Sequence, residues 1–365
     1  MRHLGTLCLL AVLLASCAPA AVLPTPTATA TPSPLPTRTQ TPSATPTPRP
    51  PPVLPAAYRN DTLTPYGTPH TYIPEPCQYL LDKWSSANSV PGTVVMAIMF
   101  HSITDGTITN ANQTSTYSFH QLMNKLHDQG FQAITTAQLA DFTESNARIP
   151  ERSVLLVVDD RRNPLYFTKL FQEYWTKYRW PVVNAWISLY GENDPYLAGN
   201  VSLSEQGWVD YQAHGFIHNI PIGSDSTDEY ILGELQKPID LFKTSFHKIP
   251  IAVVWPGGGF TQHAVQVARQ LGYRLGFTTN PRGPVMFNWV PLADSYNPQQ
   301  PTWSADGPVD DPLMVLPRYW DTDAIKHIPE VLQIGQEATA YAAENKATEM
   351  DYYDIVCASH YGPIP

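Results

Sequence analysis

The chain has few cysteines, little positive charge and no apolar run long enough to cross a membrane. Only 4 of its 365 residues are cysteine, which excludes a dense disulfide framework. Lys and Arg number 22 against 32 acidic residues, and this deficit argues against a nucleic-acid partner, because phosphate binding needs a basic surface. No repeat of about 20 to 50 residues is evident, so solenoids and propellers are excluded as well. A neutral ligand remains compatible with this composition.

The first residues have the composition of an export signal. A short basic start is followed by an apolar run over 4–14, which suits a signal sequence and is too short for a transmembrane helix. The segment Leu14-Ala15-Ser16-Cys17 then resembles a bacterial lipobox, in which Cys17 carries the lipid and begins the mature chain. We predict a lipoprotein signal peptide over 1–17; an ordinary signal peptide with an incidental cysteine is the alternative.

Residues 18–57 are nearly all Pro, Thr, Ala and Ser. Such a segment cannot bury a core, and its prolines favour an extended chain that spans on the order of 100 Å at roughly 3 Å per residue. This length suits a tether that reaches through a cell envelope. We expect a globular domain over 78–345, a C-terminal tail over 346–365, and a protein anchored to the cell membrane by lipid, facing outside the cytoplasm.

Two cysteines remain for the domain, because Cys8 lies in the signal and Cys17 is the predicted lipid site. In an exported protein two remaining cysteines often pair, and Cys77 and Cys357 bracket the domain near its two ends. We predict that they form a disulfide. Two separate free thiols are the alternative.

Strand-like apolar runs alternate with amphipathic helical stretches, a pattern typical of parallel strands joined by helices. The predicted strands cover 93–100, 132–135, 154–158, 182–187, 209–213, 251–255, 275–278 and 314–316. The predicted helices cover 118–129, 136–144, 167–178, 228–242, 262–271 and 324–345. The pattern predicts an α/β fold, a distorted (β/α) barrel of about seven parallel strands, with its reactive groups at the carboxyl ends of the strands.

The strand at 154–158 runs directly into Asp159 and Asp160. Two adjacent carboxylates at the end of a buried strand are costly unless something compensates them. A metal ion does so and leaves the other carboxylate free to act as a base. The alternative is a pair that caps the next helix or bonds Arg161 and Arg162.

Two further groups follow strand ends. His214 and His218 come after the strand at 209–213, and two imidazoles four residues apart can converge on one ion, although lone pairs at this spacing are common. With a carboxylate they suit a divalent metal, Zn first and Co, Ni or Mn as alternatives. The turn Gly257-Gly258-Gly259 after 251–255 lets backbone N–H groups approach a substrate, as an oxyanion hole requires; a plain glycine-rich turn is the alternative.

Five motifs in the same order make residues 93–320 resemble the metal-dependent polysaccharide deacetylases, the NodB-homology family. The family motifs are of the types Met-Tyr-His, Phe-Asp-Asp-Gly, His-(Ser/Thr)-x-x-His, Tyr-Pro-x-Gly and (Ala/Gly)-Tyr-x-x-(Ala/Gly)-x-Thr. Their counterparts here are Met99-Phe100-His101, Val158-Asp159-Asp160-Arg161, His214 to His218, Trp255-Pro256-Gly257-Gly258 and Gly272 to Thr278. Leu316-Pro317-Arg318 resembles the late strand of the family.

The resemblance implies roles for these residues. Asp159 is the general base that acts on the attacking water, and Asp160, His214 and His218 hold the divalent ion. The Gly257 N–H helps to stabilise the oxyanion that forms from the acetamide carbonyl.

The general acid implied by the resemblance is a histidine. A late Leu-x-His motif supplies it in many members, but no such motif lies on a predicted strand here, since His327 falls in a predicted helix. In the subgroup that resembles exopolysaccharide (poly-N-acetylglucosamine) deacetylases the acid comes from the first strand, where His101 stands. A buried structural histidine is the alternative. We expect His101 and Asp159 to flank the ion from opposite sides.

Departures from the family pattern bear on activity. Arg161 stands where the family has Gly, and Gly215 stands where it has Ser or Thr. An ion pair between Arg161 and Asp159 would lower the basicity of that carboxylate. We therefore expect Arg161 to point away from the cleft if the protein is an active enzyme.

The resemblance implies an extracytoplasmic, metal-dependent hydrolase that removes N-acetyl groups from a polysaccharide such as poly-N-acetylglucosamine, a chitin-like polymer or the peptidoglycan glycan. The alternative is a catalytically degenerate glycan-binding scaffold on the same fold, with Trp255, Tyr319 and Trp320 as sugar-stacking surfaces unless they belong to the core. A solute-binding lipoprotein is disfavoured because no two-lobed pattern is visible. The expected partners are the polysaccharide and, through the lipid, the membrane, with no nucleic acid; we expect a monomer.

Overall fold

The structure is a computed structural model and describes residues 49–63, 67–218, 220–298 and 304–365. The predicted signal peptide, Cys17 and the tether as far as residue 48 lie outside the described residues. Within the described ranges, no helix combines the length and the apolar character that a membrane span needs.

Twelve strands occur in the described part of the chain. They are β1 (Gly67–His70), β2 (Val94–Phe100), β3 (Ser102–Thr104), β4 (Gln113–Ser115), β5 (Gln132–Ala133), β6 (Arg152–Val158), β7 (Val182–Trp186), β8 (Val209–Ala213), β9 (Ala252–Val254), β10 (Leu275–Phe277), β11 (Val290–Ala293) and β12 (Tyr319–Trp320). Seven of them form a parallel sheet in the order β10-β9-β8-β7-β6-β2-β12, and β5 pairs with β6 beside this path.

Ten α-helices accompany these strands in the same described ranges. They are α1 (Pro76–Trp84), α2 (Thr116–Asp128), α3 (Thr136–Ser145), α4 (Pro164–Leu170), α5 (Gln172–Tyr178), α6 (Leu197–Glu205), α7 (Asp228–Leu241), α8 (Gln262–Gln270), α9 (Ala324–Tyr352) and α10 (Ala358–Tyr361). The predicted α/β fold with about seven parallel strands is confirmed, and the sheet curves into a half-barrel.

The central strands are apolar over all of β2 and over 154–158 of β6, because both of their faces are covered there. Alternate residues of β2 enter two separate cores: Met96 and Ile98 face one, and Val95 and Ala97 face the other. The two strands run parallel and in register along their whole length. They therefore end together, and the next residues of both strands leave the sheet side by side.

The segment after residue 314 differs from its prediction. Residues Pro312–Met314 form a 3-10 turn, and the last strand is β12. Leu316 still joins the edge strand β10, because its N–H donates to the Gly276 carbonyl at 2.8 Å and its carbonyl accepts from Thr278 at 3.0 Å. Since β12 then pairs with β2, this segment links the two edges of the sheet. Pro317 has no N–H to donate, which keeps the pairing short.

Two predicted helices also have different bounds. The helix predicted over 167–178 is two helices, α4 and α5, divided at Phe171, whose buried ring packs against Phe100 and Phe119. The helix predicted to end at 345 continues to Tyr352, so residues 346–352 are helix rather than tail.

The ends of the domain are joined covalently. Cys77 in α1 and Cys357, which follows α9, form the predicted disulfide, with Cα atoms 5.3 Å apart and 280 residues between them in sequence. Leu80 and Tyr353 pack around it in a small buried cluster.

Candidate active site

The polar groups gather where parallel strands end. Asp159 and Asp160 follow β6, His101 follows β2, and His214 follows β8. The Asp159 N–H donates to the Phe100 carbonyl at 2.9 Å, so β2 and β6 stay paired up to the site. Because the strands are parallel, all these side chains lie at one edge of the sheet.

The predicted ligands Asp160, His214 and His218 converge. Each offers one ligand atom, and these atoms all lie within 4.8 Å of one another. The Nε2 atom of His214 is 3.8 Å from Oδ1 of Asp160, and the two imidazole centroids are 4.1 Å apart. More than fifty residues separate the aspartate from the histidines, so the parallel sheet brings them together.

His214 is prepared to act as a neutral ligand. Burial lowers its pKa to about 4, against the opposing effect of the Asp159 charge, and the ring is therefore uncharged at neutral pH. Its Nδ1 lies 2.8 Å from the Val254 carbonyl, which places the proton on Nδ1 and leaves the lone pair of Nε2 free. Two imidazoles and one carboxylate match the donor set of a zinc-type ion.

Asp159 is held by Arg318 rather than by Arg161. The two side chains form a bidentate ion pair, with Nη1 to Oδ1 at 2.6 Å and Nη2 to Oδ2 at 3.0 Å, and both are almost fully buried. Burial by itself would raise the pKa of Asp159, but the charge of Arg318, supported by His214 and His101, lowers it well below its usual range. The carboxylate therefore stays ionised.

His101 lies beside Asp159. Its Nε2 is 3.5 Å from Oδ2 of Asp159, and its ring stacks on Trp320 with the centroids 5.1 Å apart. The expectation that His101 and Asp159 flank the ion from opposite sides is therefore wrong: β2 and β6 are adjacent and in register, so their next residues are neighbours.

Asp160 points away from Asp159 because the backbone turns between them. Its φ is +70°, in the left-handed region that few residues other than glycine adopt. The Asn184 side chain stabilises this turn by donating to the Val158 and Asp160 carbonyls, both at 2.9 Å. Arg162 donates to the second carboxylate oxygen of Asp160 at 3.0 Å, which leaves Oδ1 directed toward His214.

The loop from His214 to His218 is shaped by a buried glutamate that sequence reasoning missed. Glu234 of α7 accepts the N–H groups of Phe216, Ile217 and His218 at 2.8 to 3.2 Å. Gly215 has a φ of +75°, and a Cβ there would lie 2.5 Å from the Glu234 carboxylate. The family's Ser or Thr would not fit, so this departure has a local cause.

Gly257 lies beside the candidate metal ligand His218. Its N–H donates to Nε2 of His218 at 3.3 Å, so in this conformation it does not point to an open oxyanion position. Its φ of +57° and the close approach of Pro221, 2.8 Å from where a Cβ would stand, explain why glycine occupies the position. Its role toward an oxyanion stays a prediction.

Residues 146–276, which include most of this site, match the family model described as polysaccharide deacetylase. This part of the chain is therefore similar to the polysaccharide deacetylases. A curated relative, "Putative polysaccharide deacetylase YxkH" of Bacillus subtilis (strain 168), is 24% identical over 193 residues, which are 50% of this chain. The match spans 64% of the length of that relative.

The Streptococcus pyogenes deacetylase PplD, solved in complex with acetate, shares the fold with a TM-score of 0.52 and 18% identity; the match covers 67% of this chain and 99% of that one. A polysaccharide deacetylase from Bacillus cereus matches with a TM-score of 0.49 and 16% identity, over 66% of this chain and 69% of that one.

The fold accommodates Arg161 at a position away from Asp159. The guanidinium pairs with the buried Asp194 and lies between two tyrosine rings, 4.5 Å from the centroid of Tyr190 and 4.7 Å from that of Tyr196. The prediction was that Arg161 points away from the cleft, and its contacts with Asp194 and the two tyrosines turn it away from Asp159.

Two of the aromatic residues considered as sugar-stacking surfaces are core residues. Trp255 is completely buried and its indole N–H donates to the Met314 carbonyl at 2.7 Å, while Tyr319 is 2% exposed. Neither ring can reach a glycan. Trp320 is half-buried and stacks on His101.

Sequence reasoning also missed Asp321, which follows β12 at the same edge. Its carboxylate is buried and has no side-chain partner within hydrogen-bond distance among the described residues, and Nδ1 of His101 is likewise buried and unpartnered. Burial, reinforced by the charge of Asp159, raises the pKa of Asp321 to about 7.

An open cleft adjoins these groups. Its volume is about 280 Å³, and its walls include His101, Asp160 and Arg162 together with Asn110 and Gln113 from the β3–β4 region. The cleft gives a polar, water-accessible path to the side chains that carry the chemistry.

Proposed function

We propose that this deacetylase domain is an active, divalent-metal-dependent enzyme that removes N-acetyl groups from a polysaccharide, such as poly-N-acetylglucosamine, a chitin-like polymer or the peptidoglycan glycan. The observation that carries the proposal is the convergence of Asp160, His214 and His218 beside an ionised Asp159. When bound by those three side chains, a divalent cation supplies Lewis acidity toward the amide carbonyl and the attacking water.

Three side chains of the protein carry out the proton transfers and position the groups that take part in them. The Asp159 carboxylate accepts a proton as a water oxygen forms a bond to the acetyl carbon. Arg318 fixes both oxygens of that carboxylate and keeps it ionised, and it lowers the basicity of Asp159 in the way considered above for Arg161. As the carbon–nitrogen bond breaks, His101 donates a proton to the departing amine, which yields acetate and a free amino sugar.

The geometry is compatible with these roles. His101 lines the cleft and lies 3.5 Å from Asp159, so a substrate amide that reaches His101 also comes close to Asp159. Asp321 lies at the same edge with a pKa near neutrality, raised mainly by burial, and offers a proton-carrying partner to that edge of the site.

Substitutions separate metal binding from turnover. After chelator treatment, the protein is loaded with Zn, Co or Ni and assayed on chitooligosaccharides, poly-N-acetylglucosamine and peptidoglycan. Asp160→Ala and His214→Ala should abolish metal binding measured by calorimetry, whereas Asp159→Asn should keep the metal and lose turnover. His263→Ala, whose side chain is 53% exposed, is the matched control. Metal-loaded protein that deacetylates none of these glycans would favour the glycan-binding scaffold.

We further propose that the protein works outside the cytoplasm as a monomer, anchored through a lipid on Cys17 and held at a distance by residues 18–48, since the chain from Arg49 onward belongs to the folded unit. The lipobox-like sequence and the Pro/Thr-rich composition support this proposal. Cys17→Ser should release the folded protein from the membrane fraction. A variant that stays membrane-bound in high salt would contradict the lipid anchor.

A further inference from the structure

We propose that Tyr190 is a specificity-determining residue, an aromatic platform on which the glycan stacks a sugar ring next to the one that is deacetylated. The inference rests on the proposed function and extends it to how a polymer is distinguished from a single sugar. It is carried by the contacts of Arg161, Tyr190 and the loop between β7 and α6, which we call the platform loop (residues 187–196).

The platform loop adjoins the site. It follows β7, and the Ser188 N–H donates to the Gly215 carbonyl at 3.2 Å, directly after the ligand His214. From the other side it meets Arg161, the residue that follows the ligand Asp160. The loop is thus in contact with both segments that carry the metal-ligating side chains.

The loop is held in one conformation by contacts that bury charge. Arg161 forms an ion pair with Asp194, whose side chain is 1% exposed. Within the loop, the Gly191 N–H donates to the Ser188 carbonyl at 2.9 Å, and the Asp194 N–H donates to the Gly191 carbonyl at 3.3 Å. A buried, charge-assisted contact of this kind fixes a loop far better than an exposed ion pair does.

Tyr190 is presented to solvent although one face of its ring is occupied. The Arg161 guanidinium lies 4.5 Å from the ring centroid, yet 53% of the residue is exposed. Its neighbour Leu189 is 41% exposed. A large apolar ring that the fold fixes on one side and leaves open on the other is suited to stack on the C–H face of a sugar.

The position also accounts for Arg161. The NodB-homology motif has glycine there, and glycine has no side chain with which to hold the platform loop. Arg161 therefore acts as a positioning residue: its side chain fixes the tyrosine rings of the platform loop beside the segment that carries Asp160. Since the guanidinium is neutralised by Asp194, the platform favours a neutral glycan over an anionic one.

The test compares a five-sugar N-acetylglucosamine oligomer with the single sugar. Calorimetry measures the binding of each ligand to wild-type protein, Tyr190→Ala, Tyr190→Phe and Tyr361→Ala; the last removes an exposed tyrosine of α10, 41% exposed. We expect Tyr190→Ala to bind the pentasaccharide about tenfold more weakly, a loss typical of one aromatic stacking contact. Binding of the single sugar should not change, and Tyr190→Phe and Tyr361→Ala should match wild type.

Arg161 has its own readout. Arg161→Leu should raise KM for the pentasaccharide and leave kcat nearly unchanged. Arg161→Lys should give a KM between those of Arg161→Leu and wild type. A fall in kcat with unchanged KM would instead mean that Arg161 acts on the chemistry and would overturn its assignment as a positioning residue for the platform.

The outcomes separate the two proposals. Wild-type protein that deacetylates no glycan defeats the proposed function. Wild-type protein that deacetylates the pentasaccharide while Tyr190→Ala binds it equally well defeats the platform alone. Equal losses of pentasaccharide and single-sugar binding in Tyr190→Ala also defeat it, because the ring would then contact the reacting sugar.

Discussion

The two ends of the parallel sheet are held together by different chemistry. At the carboxyl ends of the strands, the buried pair Asp159–Arg318 and the buried Glu234 position an open, polar site. At the opposite end, where Thr339 of α9 contacts Pro91 just before β2, a disulfide joins α1 to Cys357, which follows α9. Electrostatic contacts thus position the side chains at the carboxyl ends of the strands, where the candidate site lies. A covalent bond stabilises the opposite end, which carries no site residues.

This difference means that the two ends stabilise the fold by different means, and that only the carboxyl end couples folding stability to reactivity. Each buried charge at the site depends on its partner, because a lone buried charge is expensive. The disulfide contacts none of the site residues. Changes at the two ends should therefore have distinguishable consequences, and the following predictions test that separation.

The largest effect is expected at the buried ion pair. Arg318→Leu leaves Asp159 buried and uncompensated, so we expect a loss of about 3 to 5 kcal/mol in the free energy of unfolding and no turnover. Urea denaturation measures the loss. Arg269→Leu is the matched control, since Arg269 makes a bidentate pair with Asp311 but is 33% exposed, and it should cost less than about 1 kcal/mol. Equal losses in both variants would contradict the argument.

The opposite end should give a smaller effect that spares the chemistry. Replacing Cys77 and Cys357 together by serine should lower the free energy of unfolding by about 2 to 4 kcal/mol, because the unfolded chain loses its cross-link. Turnover at temperatures where the variant is folded should stay the same. If a folded variant loses activity in proportion to its stability, the two ends are coupled and the comparison fails.

A substitution of Glu234 tests how strongly the site depends on a buried charge that contacts only backbone N–H groups. Glu234→Gln retains the shape but loses the anionic acceptor for three N–H groups, so the loop that carries His218 should loosen. We expect metal affinity to fall about 10- to 100-fold, the usual effect of outer partners, in a chelator competition assay. Glu229→Gln, exposed on the same helix, should bind metal normally.

The smallest effect concerns pH. Burial raises the pKa of Asp321 to about 7, so the stability it contributes is complete below its unfolded value of about 3.9 and is lost as pH rises through 7. Asp321→Asn should therefore flatten the decline of unfolding free energy between pH 5 and pH 8. Urea denaturation at the two pH values checks this, with the exposed Asp225→Asn as control. An unchanged slope would show that Asp321 is already compensated.

Much of the fold was predictable because the parallel strands are buried on both faces. The apolar run of β2 and the run that ends at Asp159 follow directly from that burial, and they fix which residues stand at the carboxyl edge. The convergence of Asp160, His214 and His218 then follows from parallel topology alone. The strand β12 was missed because two residues between a proline and a turn carry no periodicity.

The partners of the site residues were not predictable in the same way. The pairing of Asp159 with Arg318 spans 159 positions, and nothing in the local sequence distinguishes Arg318 from Arg161 or Arg162 as the partner. Glu234 did leave a signal, since it lies between Ile231 and Leu235 on the buried face of α7. A carboxylate on an apolar helix face must have a partner, and that partner proved to be the loop from His214 to His218.

The disulfide between Cys77 and Cys357 turns most of the domain into a closed covalent ring, since 280 positions of sequence separate the two cysteines. A single proteolytic cut anywhere inside the ring yields a nicked molecule rather than two fragments. The pieces stay joined, migrate as one species in non-reducing electrophoresis and separate only after reduction. Because the disulfide already joins the two ends of the ring, the chain could be opened in an exposed loop without separating its two parts. The domain is therefore well suited to circular permutation.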